Sequence, residues 1–254
     1  MAPDITSPSN ERIKWLTRLR DRRHRDAEGV FVVEGSRLYQ RALAAGLSPS
    51  VTFVTETSKE AVGEVISVAP EVLDRASYRQ TSEGLIAVFP QFSTGLALLT
   101  SSATPLMLVA EDIEKPGNLG AMMRTASAAG ADAIVAVGGA VDPFNPNAVR
   151  ASTGSLFTVP LAVTSWDELG PWLSERGIAV LALDPTAATT VWETDLTGPV
   201  AVIVGAEATG LSERATSLAR LRISIPQAHD GVDSLNASVA AAVVMFEAVR
   251  QRST

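Results

Sequence analysis

The run Leu106-Met107-Leu108-Val109-Ala110-Glu111-Asp112-Ile113-Glu114-Lys115-Pro116-Gly117-Asn118-Leu119-Gly120-Ala121-Met122-Met123-Arg124-Thr125-Ala126 decides the fold. Its first five residues are apolar without a break, the pattern of a strand buried on both faces. A polar turn containing Pro116 and Gly117 follows, and then Leu119, Met122 or Met123, Ala126 and Ala129 recur at helical spacing. A buried strand joined by a short turn to an amphipathic helix is the unit from which parallel, helix-covered sheets are built. Asn118 is placed to cap that helix. Arg124 falls near Gly120, Ser127 and Ala131, a face of small residues over which a long side chain reaches outward.

Outward from this unit the alternation repeats. Strands are expected at 106–110, 133–137, 158–163, 178–183, 200–204 and 221–225, with helices at about 119–129, 147–152, 166–176 and 212–218 and a long last helix from Leu235 to Arg250. Parallel sheets of this kind bind ligands in the crevice at the carboxyl ends of their strands. Two further segments fall at that edge. In Gly205-Ala206-Glu207-Ala208-Thr209-Gly210 the glycines permit close backbone approach, and Glu207 projects between them. In Ser234-Leu235-Asn236-Ala237-Ser238, Asp233 or Ser234 is expected to cap the last helix, whose buried stripe is read as Leu235, Val239, Ala242, Phe246 and Val249. Asn236, a carboxamide in the first turn of a mostly apolar helix, requires a partner from a loop or ligand. No G-x-G-x-x-G follows a strand and no Walker loop is present, so nicotinamide and ATP chemistry lose ground.

The part before residue 106 is a smaller α/β pattern. Ser7-Pro8-Ser9-Asn10 opens a helix from Glu11 to about Arg23 with Ile13, Leu16 and Leu19 inward; a strand is expected at 31–35, a helix over 37–45 closed by Gly46, and a strand at 51–55. A helix at 59–67, a short extended piece at Val72-Leu73 and a strand at 84–90 complete it. The expected organisation is a first domain over 1–98, a Ser/Thr-rich linker over 99–105 and a second domain over 106–254.

Charge distinguishes the two parts. The net charge of −7 hides a basic arm: residues 1–42 carry nine Lys/Arg against six Asp/Glu, and the remaining 212 carry twelve against twenty-two. Such an arm suits phosphate contact at one end, with Arg12, Lys14, Arg18, Arg22, Arg23, Arg25 and Arg37 as candidate phosphate contacts. An apolar content of 46% with 19% charged residues excludes general disorder. The absence of cysteine excludes disulfide and thiolate chemistry, and two widely separated histidines argue against a metal site. No apolar run is long enough for a membrane span, and Met1-Ala2-Pro3-Asp4 lacks a secretory pattern, so a cytoplasmic location is expected.

In this order, the segments 118–126, 205–210 and 234–238 resemble the three motifs of the SPOUT RNA ribose methyltransferases, in the TrmH/SpoU branch. The resemblance spans residues 105–254. It implies a parallel sheet whose C-terminal segment threads a loop to form a trefoil knot, a homodimer, and S-adenosylmethionine held in the knot. The implied cofactor contacts are Leu183, Asp184, Gly205, Ala206, Glu207, Gly210, Ile225, Gln227, Ser234, Leu235 and Ala237. The implied catalytic group is Arg124, which binds the neighbouring phosphate, with Asn118, Glu207 and Asn236 beside it. The N-terminal part resembles the ribosomal-protein-like RNA-binding domain of the ribosomal-RNA members, including those of the thiostrepton-resistance type, and favours ribosomal RNA over transfer RNA. A tRNA 2′-O-methyltransferase and a non-catalytic RNA-binding factor of the same fold are the alternatives. The chain departs from the family at Ile225-Pro226-Gln227, where Met often follows the proline, and in the long segment 228–233 that carries His229.

Overall fold

The structure, a computed structural model, describes residues 3–55, 61–78, 81–100, 102–139, 142–228 and 235–253. Contacts divide the chain into two units, Met1–Phe92 with Asp142–Phe157 and Ser93–Val141 with Thr158–Thr254. Residues 142–157, which lie inside the expected second domain, thus group with the first.

In the first unit Asn10 caps α1 (Glu11–Arg18) by accepting from Arg12 N at 2.9 Å. The single helix expected to about Arg23 is interrupted: Asp21 accepts from Arg23 N and starts α2 (Arg22–Glu28). A side-chain acceptor in mid-pattern offers the backbone a second start, and the break lets Leu19 bury completely. β1 (Val30–Glu34), α3 (Ser36–Ala44), β2 (Val51–Val54), β3 (Glu64–Ser67), α4 (Pro70–Ala76) and β4 (Leu85–Pro90) follow, in a sheet ordered β1-β4-β2-β3. Two expectations are corrected here. Residues 64–67 form a strand parallel to β2 instead of a helix, because Gly63 turns at φ +80° where a Cβ would meet the Pro49 carbonyl oxygen at 2.6 Å. Val72-Leu73 is helical, since Pro70 at the first helical position is pre-set for a helix start.

The second unit contains β5 (Leu106–Glu111), α5 (Pro116–Ala128) and β6 (Ala133–Val137). After α6 (Pro146–Ala151), which belongs to the first unit, come β7 (Leu161–Thr164), α7 (Trp166–Glu175), β8 (Ala179–Leu183), β9 (Val200–Val204), α8 (Glu213–Leu218), β10 (Leu221–Ile223) and α9 (Ala237–Arg252). The sheet is parallel throughout in the order β10-β8-β9-β5-β6-β7, and β5, β6 and β9 are buried along their whole length. Helix α9 is turned relative to expectation. Ala237, Ala240, Ala241, Val244, Met245 and Ala248 are its buried face, whereas Leu235, Val239 and Phe246 are 38%, 47% and 49% exposed. Small residues admit close approach to α5, β5 and β9, and the bulky side chains are left facing outward.

Residues 142–157 join the first unit by charge and by aromatic packing. The rings of Phe144 and Phe157 lie 5.2 and 6.1 Å from that of Phe31. Arg25, fully buried, donates to the carbonyls of Leu19 and Arg20 at 2.8 Å each and ion-pairs with Asp142. The reading of Arg25 as an RNA contact is therefore corrected: its guanidinium lies inside the first unit.

Candidate active site

Because β8, β9 and β10 are parallel, the loops that leave them emerge at one edge, and there they line an open cleft of about 690 Å³, part of it open solvent. Leu183 and Pro185 after β8, Val204 to Glu207 with Gly210 and Leu211 after β9, and Ile225 and Gln227 after β10 form its walls. Leu235, Ala237 and Ala240 of the α9 start complete it. Nine of the eleven expected cofactor contacts line this cleft. Asp184 does not. Its carboxylate accepts from Thr186 N and Oγ1 at 2.8 and 2.7 Å and from Arg222 at 3.0 Å, bonds that hold it below the usual carboxylate range, those from Thr186 first. Ser234, with Asp233 and His229, lies outside the described residues. Pro185, Val204, Leu211 and Ala240, which also line the cleft, are apolar and carry no motif that would mark them in the sequence.

The loop after β9 explains its glycines. A Cβ on Gly205 would lie 2.4 Å from the Gly210 carbonyl oxygen, and Gly210, at φ +69°, donates its N–H to Ala206 O at 2.9 Å. The loop folds back on itself and keeps its inner wall free of side-chain bulk. The cleft beside it has mostly apolar walls and one carboxylate at its rim. It fits a nucleoside ligand with a charged tail.

Three residues from three separate motifs meet at that rim. Asn118 Nδ2 donates to Glu207 Oε1 at 2.9 Å, Asn236 Nδ2 reaches the same oxygen, and Asn236 Nδ2 also donates to Asn118 Oδ1 at 3.2 Å. Lys115 pairs with Glu207 Oε2. These donors, Lys115 first and Asn118 second, hold the Glu207 carboxyl below its ordinary range. Both capping expectations are corrected. Lys115 occupies the cap position of α5 and Pro116 its first turn, so the Asn118 carboxamide is inside the helix and free to turn to Glu207. Asn236 is itself the cap of α9, with Oδ1 accepting from Ser238 N at 3.0 Å and Oγ at 2.7 Å while Nδ2 faces the loop. A second cleft of about 510 Å³, lined by Ile113, Glu114, Lys115, Asn118, Glu207 and Ala208, shares Glu207 with the first. Sequence reasoning missed Lys115. A lysine before Pro-Gly reads as turn solvation, and only its place three residues before Asn118 could have marked it.

Arg124 stands apart. It is exposed on α5, lines neither cleft, and has no hydrogen bond or ion pair among the described residues. Of the expected RNA contacts, Arg12, Lys14 and Arg22 pair with Glu64, Glu11 and Asp26, Arg18 lies within coulombic reach of Glu11, and Arg23 and Arg37 are exposed without an ionic partner among the described residues.

The SpoU rRNA methylase family matches residues 105–246, more than half of the chain. The chain belongs to that family. Residues 10–87 match an MRM3-like substrate-binding domain. Among similar proteins of this SpoU group, the 23S rRNA (uridine(2479)-2′-O)-methyltransferase of Streptomyces viridochromogenes is 30% identical over 98% of this chain and 92% of its own. The crystal structure of a SpoU methyltransferase from the same organism in complex with S-adenosylmethionine has a TM-score of 0.90 at 29% identity, covering 96% of this chain and 99% of that one. A crystal structure of an RNA 2′-O ribose methyltransferase has a TM-score of 0.87 at 38% identity, covering 98% and 99%. Among the described residues of this SpoU-family chain, no helix is long and apolar enough to cross a membrane, and no group of three or more His, Cys, Asp or Glu is placed to hold a metal ion.

Proposed function

We propose that the protein methylates a ribose 2′-hydroxyl of 23S ribosomal RNA with S-adenosylmethionine, in the cytoplasm. The observation that carries this reading is the meeting of Asn118, Glu207 and Asn236 at the rim of a glycine-floored cleft where three strand-end loops converge. When bound, the cofactor supplies a methyl group activated on a sulfonium; the hydroxyl oxygen gains it, a proton is released, and S-adenosylhomocysteine is left. The walls contributed by Leu183, Gly205, Ala206, Ile225, Gln227, Leu235 and Ala237 hold the cofactor, mainly through shape and backbone groups. Asn118 and Asn236 fix the Glu207 carboxylate, and Glu207 orients the loop between the two clefts.

The obstacle to the reaction is the proton of a poor nucleophile, so positioning and a proton acceptor must supply the rate. Arg124 is a permanent cation and cannot be the base. Its uncommitted guanidinium binds the phosphate beside the target ribose, and a phosphate oxygen takes the hydroxyl proton. The exposed cations of the first unit, Arg12, Lys14, Arg18, Arg22, Arg23 and Arg37, grip the phosphates of the RNA.

Two features of the assembly belong to the same reading. The segment leaving β10 threads the loop 184–199 as a trefoil knot; in support, Ser224 N donates to Thr189 O at 2.9 Å and Val191 N to Ser224 O at 2.8 Å, and Arg252 donates to Leu196 O and Gly198 O of the same loop. The working form is a homodimer. The outward apolar face of α9, with Val239 and Phe246, is the kind of helix face a second copy covers. Phe246→Asp should then give monomers by light scattering.

The deciding experiment maps 2′-O-methyl groups on ribosomal RNA from cells with and without the protein, beside reactions of the purified protein with 23S rRNA and with tRNA. One ribosomal position that depends on the protein is expected. Methylation of tRNA alone would redirect the substrate, and no methyl transfer to any RNA would leave a binding factor.

A further inference from the structure

We infer that Glu111 is a positioning residue for cofactor binding: from beneath the loop after β9, its buried carboxylate fixes Ser212 and thereby the cleft wall formed by Gly210 and Leu211. The inference rests on the cofactor reading above. Glu111 is the last residue of β5 and is 2% exposed. Three donors converge on it. Oε1 accepts from Ser212 Oγ at 2.6 Å and from Trp166 Nε1 at 2.5 Å, and Oε2 accepts from Ser212 N at 3.0 Å. The Ser212 hydroxyl accepts in turn from Ala215 N at 3.0 Å and so caps α8. The chain that leaves β9 is thus tied back to the end of the neighbouring strand immediately after the last two residues that line the cleft.

A buried carboxylate is costly unless its oxygens are satisfied, and apolar packing would serve the core as well. Here the charge has a use that an apolar residue lacks, since it accepts from three donors at once and has nothing to donate. The loop is therefore held at two carboxylates, its own Glu207 bonded by Lys115, Asn118 and Asn236, and Glu111 bonded to Ser212 at its far end. Glutamine at 111 would keep the volume and turn an NH₂ toward one of the donors, leaving that donor unpaired.

Calorimetry with S-adenosylmethionine and S-adenosylhomocysteine tests this, beside amide exchange over 205–212 and thermal melting. Glu111→Gln and Ser212→Ala should each weaken binding by roughly tenfold, the weight of a hydrogen bond to a charged group. The double variant should weaken binding by less than the product of the two single losses, since both act on the Glu111–Ser212 contact, of which Ser212→Ala keeps the backbone N–H bond, and exchange over 205–212 should accelerate in all three. Trp166→Phe removes one donor and leaves Ser212 held, so it should lower the melting temperature with affinity near wild type. A folded Glu111→Gln protein with wild-type affinity overturns the inference, as does an additive double variant. Should Glu111→Gln not fold, unchanged affinity in Ser212→Ala overturns it alone. A wild-type protein that binds neither ligand overturns the cofactor reading itself.

Discussion

The two units each contain an acid-base pair, and the pairs are set in opposite surroundings. Arg25 and Asp142 have side-chain exposures of 0% and 11%, and the guanidinium also caps two carbonyls, so the pair is part of the first unit's interior. Lys115 and Glu207 are 69% and 26% exposed, between two clefts, and both asparagines of the rim share the carboxylate. A buried pair whose donors are all directed inward holds one conformation. An open pair exchanges partners at little cost, which suits a carboxylate that must meet a ligand. Environment, rather than residue type, divides the charged groups of this chain into structural and functional ones.

The largest effect should come from breaking the buried pair. Asp142→Ala leaves the Arg25 charge uncompensated and should destabilise the first unit by about 3–5 kcal/mol. Chemical denaturation measures the loss, and amide exchange should accelerate in α1, α2 and β1. A change under about 1 kcal/mol, the range of surface pairs, would place Arg25 in solvent and return it to the RNA-binding set.

Arg124 is the opposite case, a cation with no partner among the described residues. Arg124→Ala should leave folding and cofactor affinity near wild type and lower methyl transfer about 10²- to 10³-fold, the usual effect of removing one preorganised electrostatic group. Single-turnover kinetics on 23S rRNA with separate cofactor titration checks it. Retained turnover would remove Arg124 from the reaction.

Much of the second unit was legible because a parallel sheet covered on both faces leaves uninterrupted apolar runs, and all six strands are found within a few residues of their expected places. The rim was legible for a related reason: parallel strands bring their following loops to one edge, so Asn118, Glu207 and Asn236 meet although 118 residues separate the first from the last. What failed depended on tertiary context. Helical periodicity found the apolar positions of α9, but side-chain size pointed to the wrong face, since the alanines pack and Phe246 is half exposed. The basic arm was read from composition. Nothing local marks Arg25 as the residue whose partner, Asp142, comes from 117 positions later.

The open pair predicts a pH response. Glu207 titrates below its ordinary value of 4.5 because Lys115, then Asn118, bonds its charged form. A carboxyl whose folded pKa is depressed contributes its stabilising bonds above the unfolded pKa and loses them as pH falls through the lower folded value. The rim should therefore stay intact at pH 5. Lys115→Ala removes the largest cause, so the midpoint should rise toward 4.5, read from the Glu207 carboxylate carbon shift by NMR or from the acid limb of cofactor affinity. An unmoved midpoint would mean that Asn118 and Asn236 alone hold the charge.

The smallest effect tests the paired surface cations. Arg12 and Glu64 are both about half exposed and 2.8 Å apart. Loss of Arg12 as a structural partner should cost little stability, because an exposed pair is screened by water and salt. If Arg12 contacts a phosphate of the RNA, Arg12→Ala should also weaken RNA binding evenly across sequences and reduce the slope of log affinity against log salt by about 1. Glu64→Ala separates the two roles. It frees Arg12 without removing it, so it should give the same small stability loss and equal or tighter RNA binding. If both variants weaken binding alike, the pair acts through the fold of the first unit, and Arg12 would then join Arg25 on the structural side of the division.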